Sequence, residues 1–399
     1  MSLPSFSDLK VIEFSHAILG PSCGLILADL GMDVIKIEPL EGDPTRALKG
    51  FGVGYFPMFN RNKRSLTLNL KSAAGREIVL KLAAQADVLL ENYAPGTMDR
   101  LGLGYEALAQ LNPRLIYCTL KGYLPGPYEK RVALDEVVQM QSGIAYMTGP
   151  VGQPLRAGVS VVDVLAGAFS ALGVLAALRE RDRTGRGQLV RGGLFESAAY
   201  LVGQHMVYQP VLGEPIPPMP GKPRSWAIYQ PFETKDGDLV FVGVTSDKHW
   251  RRFCEVFNRP DLLADESLAT NNQRYLAFDR LTADLAAMFK QMTTAEVLAG
   301  CERAEIPFAP VARPEDLLED PHLLAAGALW SVQVSETVRC NLPALPLAFG
   351  SGRLELRLQP PKAGEHTVEV LRGLGYDDAE IDRLRHDGVV GFGCGSEHL

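Results

Sequence analysis

The spacing of apolar residues along this chain changes character several times. Short aliphatic runs at 9–14, 34–37, Val88–Glu91 and 115–119 alternate with stretches at about 22–30, 73–85 and Tyr105–Leu111, where apolar positions recur every three or four residues. Brief, nearly continuous apolar runs read as strands covered on both faces, and the amphipathic stretches between them as the helices that cover them. This alternation predicts an α/β fold, a parallel sheet wound in the Rossmann manner. Such sheets bind ligands outside the carboxyl ends of their strands. That draws attention to the turns expected at Gly20-Pro21 and Lys121-Gly122. No G-x-G-x-x-G separates the first strand from its helix, and the clusters Gly50-x-Gly52-x-Gly54 and Gly102-x-Gly104 lie elsewhere, so the dinucleotide fingerprint is missing.

The longest apolar run spans 164–178, is rich in alanine and glycine, and is interrupted as far as Ala177 only by Ser170. It reads as a core helix too short to cross a bilayer. Asp163 opens it. A carboxylate there serves as a helix cap, or faces the positive end of the helix dipole as an ionised nucleophile beside a wall of small residues. The local pattern leaves both readings open.

The pattern shifts again near residue 210. Residues 1–209 read as a large Rossmann-like part, the proline-rich stretch 210–231 as a linker, 232–325 as a smaller α/β domain, and 326–399 as a return to the large domain. The small domain is expected to hold a strand at 238–244 and helices at about 248–257, 272–291 and 294–304. The tail is expected to end in a helix pair near 366–374 and Asp378–His386, with a frayed end from Gly391.

The 399 residues are 46% hydrophobic and 22% charged, ordinary for a soluble globular chain, and long enough for two domains or one large elaborated one. The net charge of −7 argues against a nucleic-acid partner, which needs a basic face. It leaves open a local pocket for an anion. Lys36, Arg46, Lys63, Arg64, Lys71, Arg100 and Lys121 recur at strand ends and turns, either as solvated charge or as a converging phosphate patch. Six scattered cysteines without a C-x-x-C, and a start without a basic leader, point to a reduced, cytoplasmic protein. Seven histidines form no ligand motif, so no metal is expected, and neither a G-x-S-x-G elbow nor a phosphate-binding P-loop is present.

A series of words then recurs in order: Phe14-Ser15-His16, Val34-Ile35-Lys36-Ile37-Glu38, Gly42-Asp43-Pro44-Thr45-Arg46, and Asn60-x-Asn62-Lys63-Arg64-Ser65. Next come Glu91-Asn92-Tyr93-x-Pro95-Gly96, Asn112-Pro113-Arg114-Leu115-Ile116, and the Asp163 segment. Thr184-Gly185-Arg186-Gly187-Gln188, Ile306-Pro307-x-x-Pro310-Val311 and Gly364-Glu365-His366-Thr367 complete the series. From Leu9 to about Leu384 the chain thereby resembles the class III coenzyme A transferase family, which spans formyl-CoA, carnitine, benzylsuccinate and dicarboxylate CoA-transferases and the alpha-methylacyl-CoA racemases.

The resemblance implies an interlocked homodimer, with a Rossmann-like domain built from both termini. It implies an enzyme with no tightly bound cofactor, whose substrates are an acyl-CoA and a free carboxylic acid. The family nucleophile falls on Asp163, which would pass through an aspartyl anhydride and an aspartyl-CoA thioester. CoA contacts fall on Ala17, Ile18, Leu68, Lys71, Asn92, Tyr93, Arg100, Lys121, Gly122 and Tyr123, with the three cations facing the phosphates. Tyr55 and Tyr123 would flank the acyl group. On the residues themselves, Arg156 and, in the linker, Lys222 and Arg224 either hold a second carboxylate on a succinyl-like substrate or, as for Lys222 at least, are surface charge.

The formyl-CoA enzymes carry Gln where this chain has Ile18, Arg where it has Pro39, and a glycine run without counterpart at 211–230. The racemases carry Gly-His-Asp where this chain has Ala133-Leu134-Asp135, so the histidine that moves the α-proton is absent. Transfer of CoA is therefore the leading expectation. A 2-methylacyl-CoA racemase and a non-catalytic CoA-binding module are the alternatives.

Overall fold

The computed structural model describes residues 6–221, 225–350 and 354–391. Two compact units emerge, Met1–Gly221 with Pro321–Leu399, and Lys222–Asp320. In the larger unit, β1 (Lys10–Phe14), β2 (Asp33–Glu38), β3 (Lys63–Leu68), β4 (Val88–Glu91), β5 (Ile116–Lys121) and β6 (Leu189–Gly193) pair in the order β3-β2-β1-β4-β5-β6, all parallel. This is the doubly wound arrangement, and the strand order reverses between β1 and β4.

Successive residues of each strand enter opposite cores. Val11, Val34, Val88, Leu90, Ile116 and Cys118 pack with the Leu19–Asp29, Val161–Thr184 and Leu194–Met206 helices. Ile12, Ile35, Ile37, Leu66, Leu89 and Tyr117 pack with the Ala73–Ala83, Thr367–Gly373 and Asp378–His386 helices. The period of two thus builds both layers from one sheet.

In the smaller unit β7 (Ile228–Glu233), β8 (Leu239–Val244) and β9 (Phe308–Pro310) form an antiparallel sheet. Val240, Val242, Trp250, Phe253 and Phe289 are buried in its core. Three expectations need correction here. The linker was expected to run to 231, but β7 already begins at Ile228. It holds Pro231 because this strand is at the sheet edge, where a missing N–H breaks no ladder. The single helix expected at 272–291 is two, Asn271–Leu276 and Phe278–Phe289, with the first started by a Thr270–Gln273 capping box. Gly391 is not frayed: with Val390 it forms β12 (Val390–Gly391), antiparallel to β3, after β10 (Leu329–Gln333) and β11 (Arg339–Pro343) have made a hairpin.

Two strands had no apolar signature. β3 sends Lys63, Ser65 and Thr67 inward to polar partners, and β6 ends in Gly192-Gly193. The Gly20-Pro21 turn is in fact the first turn of the Leu19–Asp29 helix, where a proline removes no hydrogen bond that the helix needs.

The apolar run that looked too short to span a bilayer belongs to a 24-residue helix, Val161–Thr184. By length and composition alone it is the one such helix among the described residues. It contributes to the core beside the sheet, and near its end the buried Arg181 reaches Asp87 at 2.8 Å. The helix approaches its neighbours through small residues. A Cβ on Gly167 would stand 2.6 Å from Ser22 Cβ and 3.0 Å from the Leu19 carbonyl oxygen, so the two helices touch at the backbone. Gly192 lets β6 lie equally close to Ser170. Replacing Gly167 by valine overpacks this contact and is expected to lower unfolding stability by about 2 kcal/mol, read as a lower urea midpoint at unchanged slope.

Candidate active site

The end of β1 rests on a buried charge network. Glu13 accepts from Lys63 Nζ at 2.8 Å and Ser15 Oγ at 2.5 Å. Lys36 Nζ donates to the Ser15 carbonyl at 2.7 Å and lies 2.9 Å from the Asp43 carboxylate. Glu38 receives Arg46 through two bonds of 2.8 and 2.7 Å and Ser65 Oγ at 2.5 Å. Burial pushes the Lys63 ammonium down to about 8, with Glu13 opposing and Lys36 adding to the fall.

Four of the cations considered for phosphate are therefore structural. Lys36 and Lys63 are buried and paired, Arg46 is held by Glu38, and Arg64 pairs with Asp33 and Glu369. A buried charge keeps its partners because leaving it alone would cost several kcal/mol.

This network fixes the loop that follows. Ala17 takes a left-handed backbone at φ 61°, which a residue with a Cβ adopts at a penalty. The Asn92 side chain holds the loop by accepting from His16 N and donating to His16 O, both at 3.0 Å. The Tyr93 ring lies 5.9 Å from that of His16. Ala17, Ile18, Asn92 and Tyr93 are thus brought together where the strand order reverses, between the ends of β1 and β4.

The remaining expected contacts divide. Lys71 and Arg100 are exposed and form no ion pair among the described residues; Arg100 donates to Thr97 Oγ1 at 3.0 Å. Lys121 is not a free cation, since its ammonium meets Glu91 at 2.6 Å and the Tyr93 carbonyl at 2.5 Å. It braces the Asn92–Tyr93 turn instead. The side chain of Leu68 is withdrawn into the core.

Gly122 approaches Ala133 so closely that a Cβ would stand 2.4 Å from the alanine methyl. Tyr123 is buried among Tyr128 and Phe195 and donates to Gln141 at 2.6 Å, whereas Tyr55 packs its edge on Phe51. The two tyrosines belong to separate aromatic groups and do not form a facing pair. Lys222 and Arg224 lie outside the described residues. No group of three or more candidate metal ligands is found among the described residues.

Asp163 is partly buried on the first turn of the Val161–Thr184 helix, one turn before Gly167 and on the same face. It is not the cap. Ser160 occupies the N-cap position without a side-chain hydrogen bond, and the free amides of Val162 and Asp163 donate to Asp135 Oδ2 at 2.8 and 3.1 Å. Asp135 is buried, and its other oxygen accepts from the buried Gln139 Nε2 at 2.5 Å.

The helix dipole favours the ionised form, but the net shift runs the other way. Burial first, and then the neighbouring Asp135 charge, push the Asp163 carboxyl up to about 7, against the opposing pull of Arg156. Arg156 stands 4.0 Å from Asp135 and 3.7 Å from Glu136, with its Nη2 buried and making no hydrogen bond. Sequence reasoning passed over Asp135 as a residue with a role of its own. The available signal was a carboxylate and an amide at positions 135 and 139, one helical turn apart.

Asp163 titrates in the fold near 7 but in an unfolded chain near 4, so the folded state holds this proton more tightly. The stability it contributes is complete at about pH 4 and is lost as pH rises through 7. Asp163→Asn is expected to melt above the wild type at pH 8, with the difference closing toward pH 4, by calorimetry across that range.

Comparison with known proteins follows the same outline. The profile of CoA-transferase family III matches residues 6–367. An acyl-CoA transferase of Fusarium pseudograminearum is 35% identical, over 97% of this chain and 88% of its own. The succinyl-CoA:glutarate CoA-transferase of Mus musculus is 32% identical, over 98% of this chain and 91% of its own. The crystal structure of a CAIB/BAIF family protein from Brucella suis superposes with a TM-score of 0.85 at 32% identity, covering 94% of this chain and all of that one. A match across nine-tenths of the sequence, on a fold shared at that level, places this chain in the class III CoA-transferase family of enzymes.

Proposed function

We propose that this enzyme moves CoA from a dicarboxylyl-CoA such as succinyl-CoA to a free carboxylic acid, with Asp163 as the nucleophile. The observation that carries the proposal is the state of the Asp163 carboxylate. It is partly buried, its helix-terminal amides are engaged by Asp135, and its basicity is raised to about 7. A carboxylate denied water and amide donors is the more reactive one.

An oxygen of Asp163 bonds to the thioester carbonyl, the C–S bond breaks, and CoA leaves as thiolate, giving a mixed anhydride. The thiolate then attacks the Asp163 carbonyl, expelling the donor acid as its carboxylate and leaving an aspartyl-CoA thioester. The acceptor carboxylate attacks that thioester and the thiolate departs again. Attack on the acceptor carbonyl of this second anhydride yields the new acyl-CoA and restores Asp163. No proton, reductant or nucleotide is consumed, because each step exchanges one activated acyl bond for another. Water would hydrolyse every intermediate, so the chemistry needs it kept out, and Ala166 and Gly167, one turn along the helix from Asp163, are buried, with Gly167 against the Leu19–Asp29 helix.

The Ala17–Ile18 and Asn92–Tyr93 turns would carry the CoA, and Lys71 and Arg100 are the free cations suited to its phosphates. Arg156, with an unbonded buried nitrogen, is the group suited to a second carboxylate, in keeping with the succinyl-CoA:glutarate activity of the mouse relative. The racemase alternative has no histidine at 133–135, and Asp135 is committed to the helix amides.

An interlocked homodimer is part of the same proposal. Val132 (89% exposed), Leu134 (66%), Val159 (66%) and Val211 (70%) are large apolar residues bared on one chain, two of them adjacent to the Asp135 and Asp163 segments. They call for a covering surface.

Three outcomes follow. Intact-mass analysis after adding succinyl-CoA, with borohydride or hydroxylamine trapping, finds the adduct on Asp163. Asp163→Ala abolishes it and lowers turnover on the order of 10⁴-fold or more. Arg156→Ala lowers dicarboxylate turnover by about tenfold or more relative to monocarboxylate turnover in the same variant; equal turnover of both classes in the wild type would refute the substrate assignment. Light scattering on the eluting protein gives twice the mass of one chain.

A further inference from the structure

We propose that Asp135 is the positioning residue of this active site: by taking the two amides at the start of the Val161–Thr184 helix and placing a fixed negative charge there, it keeps the Asp163 carboxylate basic and free to attack. This rests on the reading of Asp163 as the nucleophile.

The N-cap side chain ordinarily accepts from the amides at the second and third positions, and a carboxylate elsewhere on the first turn is stabilised by the amides left free there. Such bonds stabilise its charge, lower its pKa and dull it as a nucleophile. Here those donors are spoken for: Val162 N and Asp163 N both donate to Asp135 Oδ2, at 2.8 and 3.1 Å. The second oxygen of Asp135 is anchored by Gln139 Nε2 at 2.5 Å, and Gln139 in turn accepts from Ala157 N at 2.8 Å through its own oxygen. Both side chains are buried, so the cap is rigid. It also ties the Arg156–Ala157 segment to the helix that carries Asp135, setting Arg156 between Asp135 and Glu136. One carboxylate therefore orders the helix terminus, the arginine loop and the surroundings of the nucleophile at once.

The charges facing Asp163 are few. The Asp135–Ser142 helix brings Asp135 and Glu136, and the loop before the nucleophile brings Arg156. On the other elements packed around the helix, Glu196 is bonded to Leu124 N, Lys121 to Glu91, and Asp29 to Arg61; Arg191 lies on β6, and His205 ends the Leu194–Met206 helix. Cys118 lies on β5 and Tyr200 on the Leu194–Met206 helix; the Cys23 thiol is pushed up by its hydrogen bond with Cys118 and by burial, and the Tyr117 phenol chiefly by burial. Asp135 raises and Arg156 lowers the basicity of Asp163, and these are the two that act on it directly.

The test is a ¹³C NMR titration of the Asp163 carboxyl, assigned by its loss in Asp163→Asn, paired with the pH dependence of aspartyl-CoA formation from succinyl-CoA. Asp135→Asn and Asp135→Ser both keep an oxygen that accepts from the amides but remove the charge. In each the midpoint is expected to fall by about one unit or more from the wild-type value, and the acidic limb of adduct formation to move with it. Asp135→Glu restores the charge and keeps the midpoint near the wild-type value, which a merely structural role would not require. Arg156→Met moves it upward.

An unmoved midpoint in folded Asp135→Asn or Asp135→Ser would overturn the positioning role. Failure of the underlying function reading is distinct: the wild-type carboxyl would titrate as described yet no aspartyl-CoA would form.

Discussion

The backbone contact between the Leu19–Asp29 and Val161–Thr184 helices is the constraint on which the site depends. At Gly167 the helices meet with no side chain between them. This seats the start of the long helix beside the loop that leaves β1, at the reversal of the strand order. Any side chain at 167 would lift the turn that bears Asp163 away from that loop. The small residues along this helix are thus positional as well as apolar: Val162, Ala166, Gly167, Ser170, Ala171, Val174 and Leu178 form one buried stripe, while Val164 and Leu172 on other faces are exposed.

Around this contact the protein spends charge freely. Lys36, Lys63, Glu13, Glu38 and Asp43 lie buried under the ends of three strands, each matched by an opposite charge or a hydroxyl. Such a network adds less to stability than an apolar core of equal volume would. What it contributes here is definition, because Ser15 and the left-handed Ala17 are held from below while Asn92 clasps His16 from the side. The loop at the switch point is over-determined, and a strained residue persists there for that reason. Asp135 applies the same device at the helix terminus. A buried, fully engaged carboxylate organises the backbone next to one left unengaged.

Legibility in the sequence followed the physics of each signal. Strands β1, β2, β4 and β5 were visible because apolar residues dominate each run, even though Glu13 interrupts β1 and Lys36 and Glu38 interrupt β2. β3 was not, because its inward face is Lys63, Ser65 and Thr67, whose partners lie on β1, β2 and distant segments. The phosphate-like recurrence of basic residues was misleading for the same reason: a lysine facing a buried glutamate and one facing solvent look identical in a linear pattern. Lys71 and Arg100 differ from Lys36, Lys63 and Lys121 only through folding.

The sequence by itself determined the alternation of strands and helices, the shift of pattern past residue 210, the family outline, and the choice of Asp163 as the residue of interest. These are carried by periods and by ordered words within short windows. Only the tertiary structure decided what state Asp163 is in. A helix terminus alone predicts a lowered pKa, and the shift is upward because burial, and then the charge of Asp135, twenty-eight positions away and bonded to the same amides, outweigh the dipole. Basicity is set by what surrounds a group in space, and no local pattern records which neighbour will arrive.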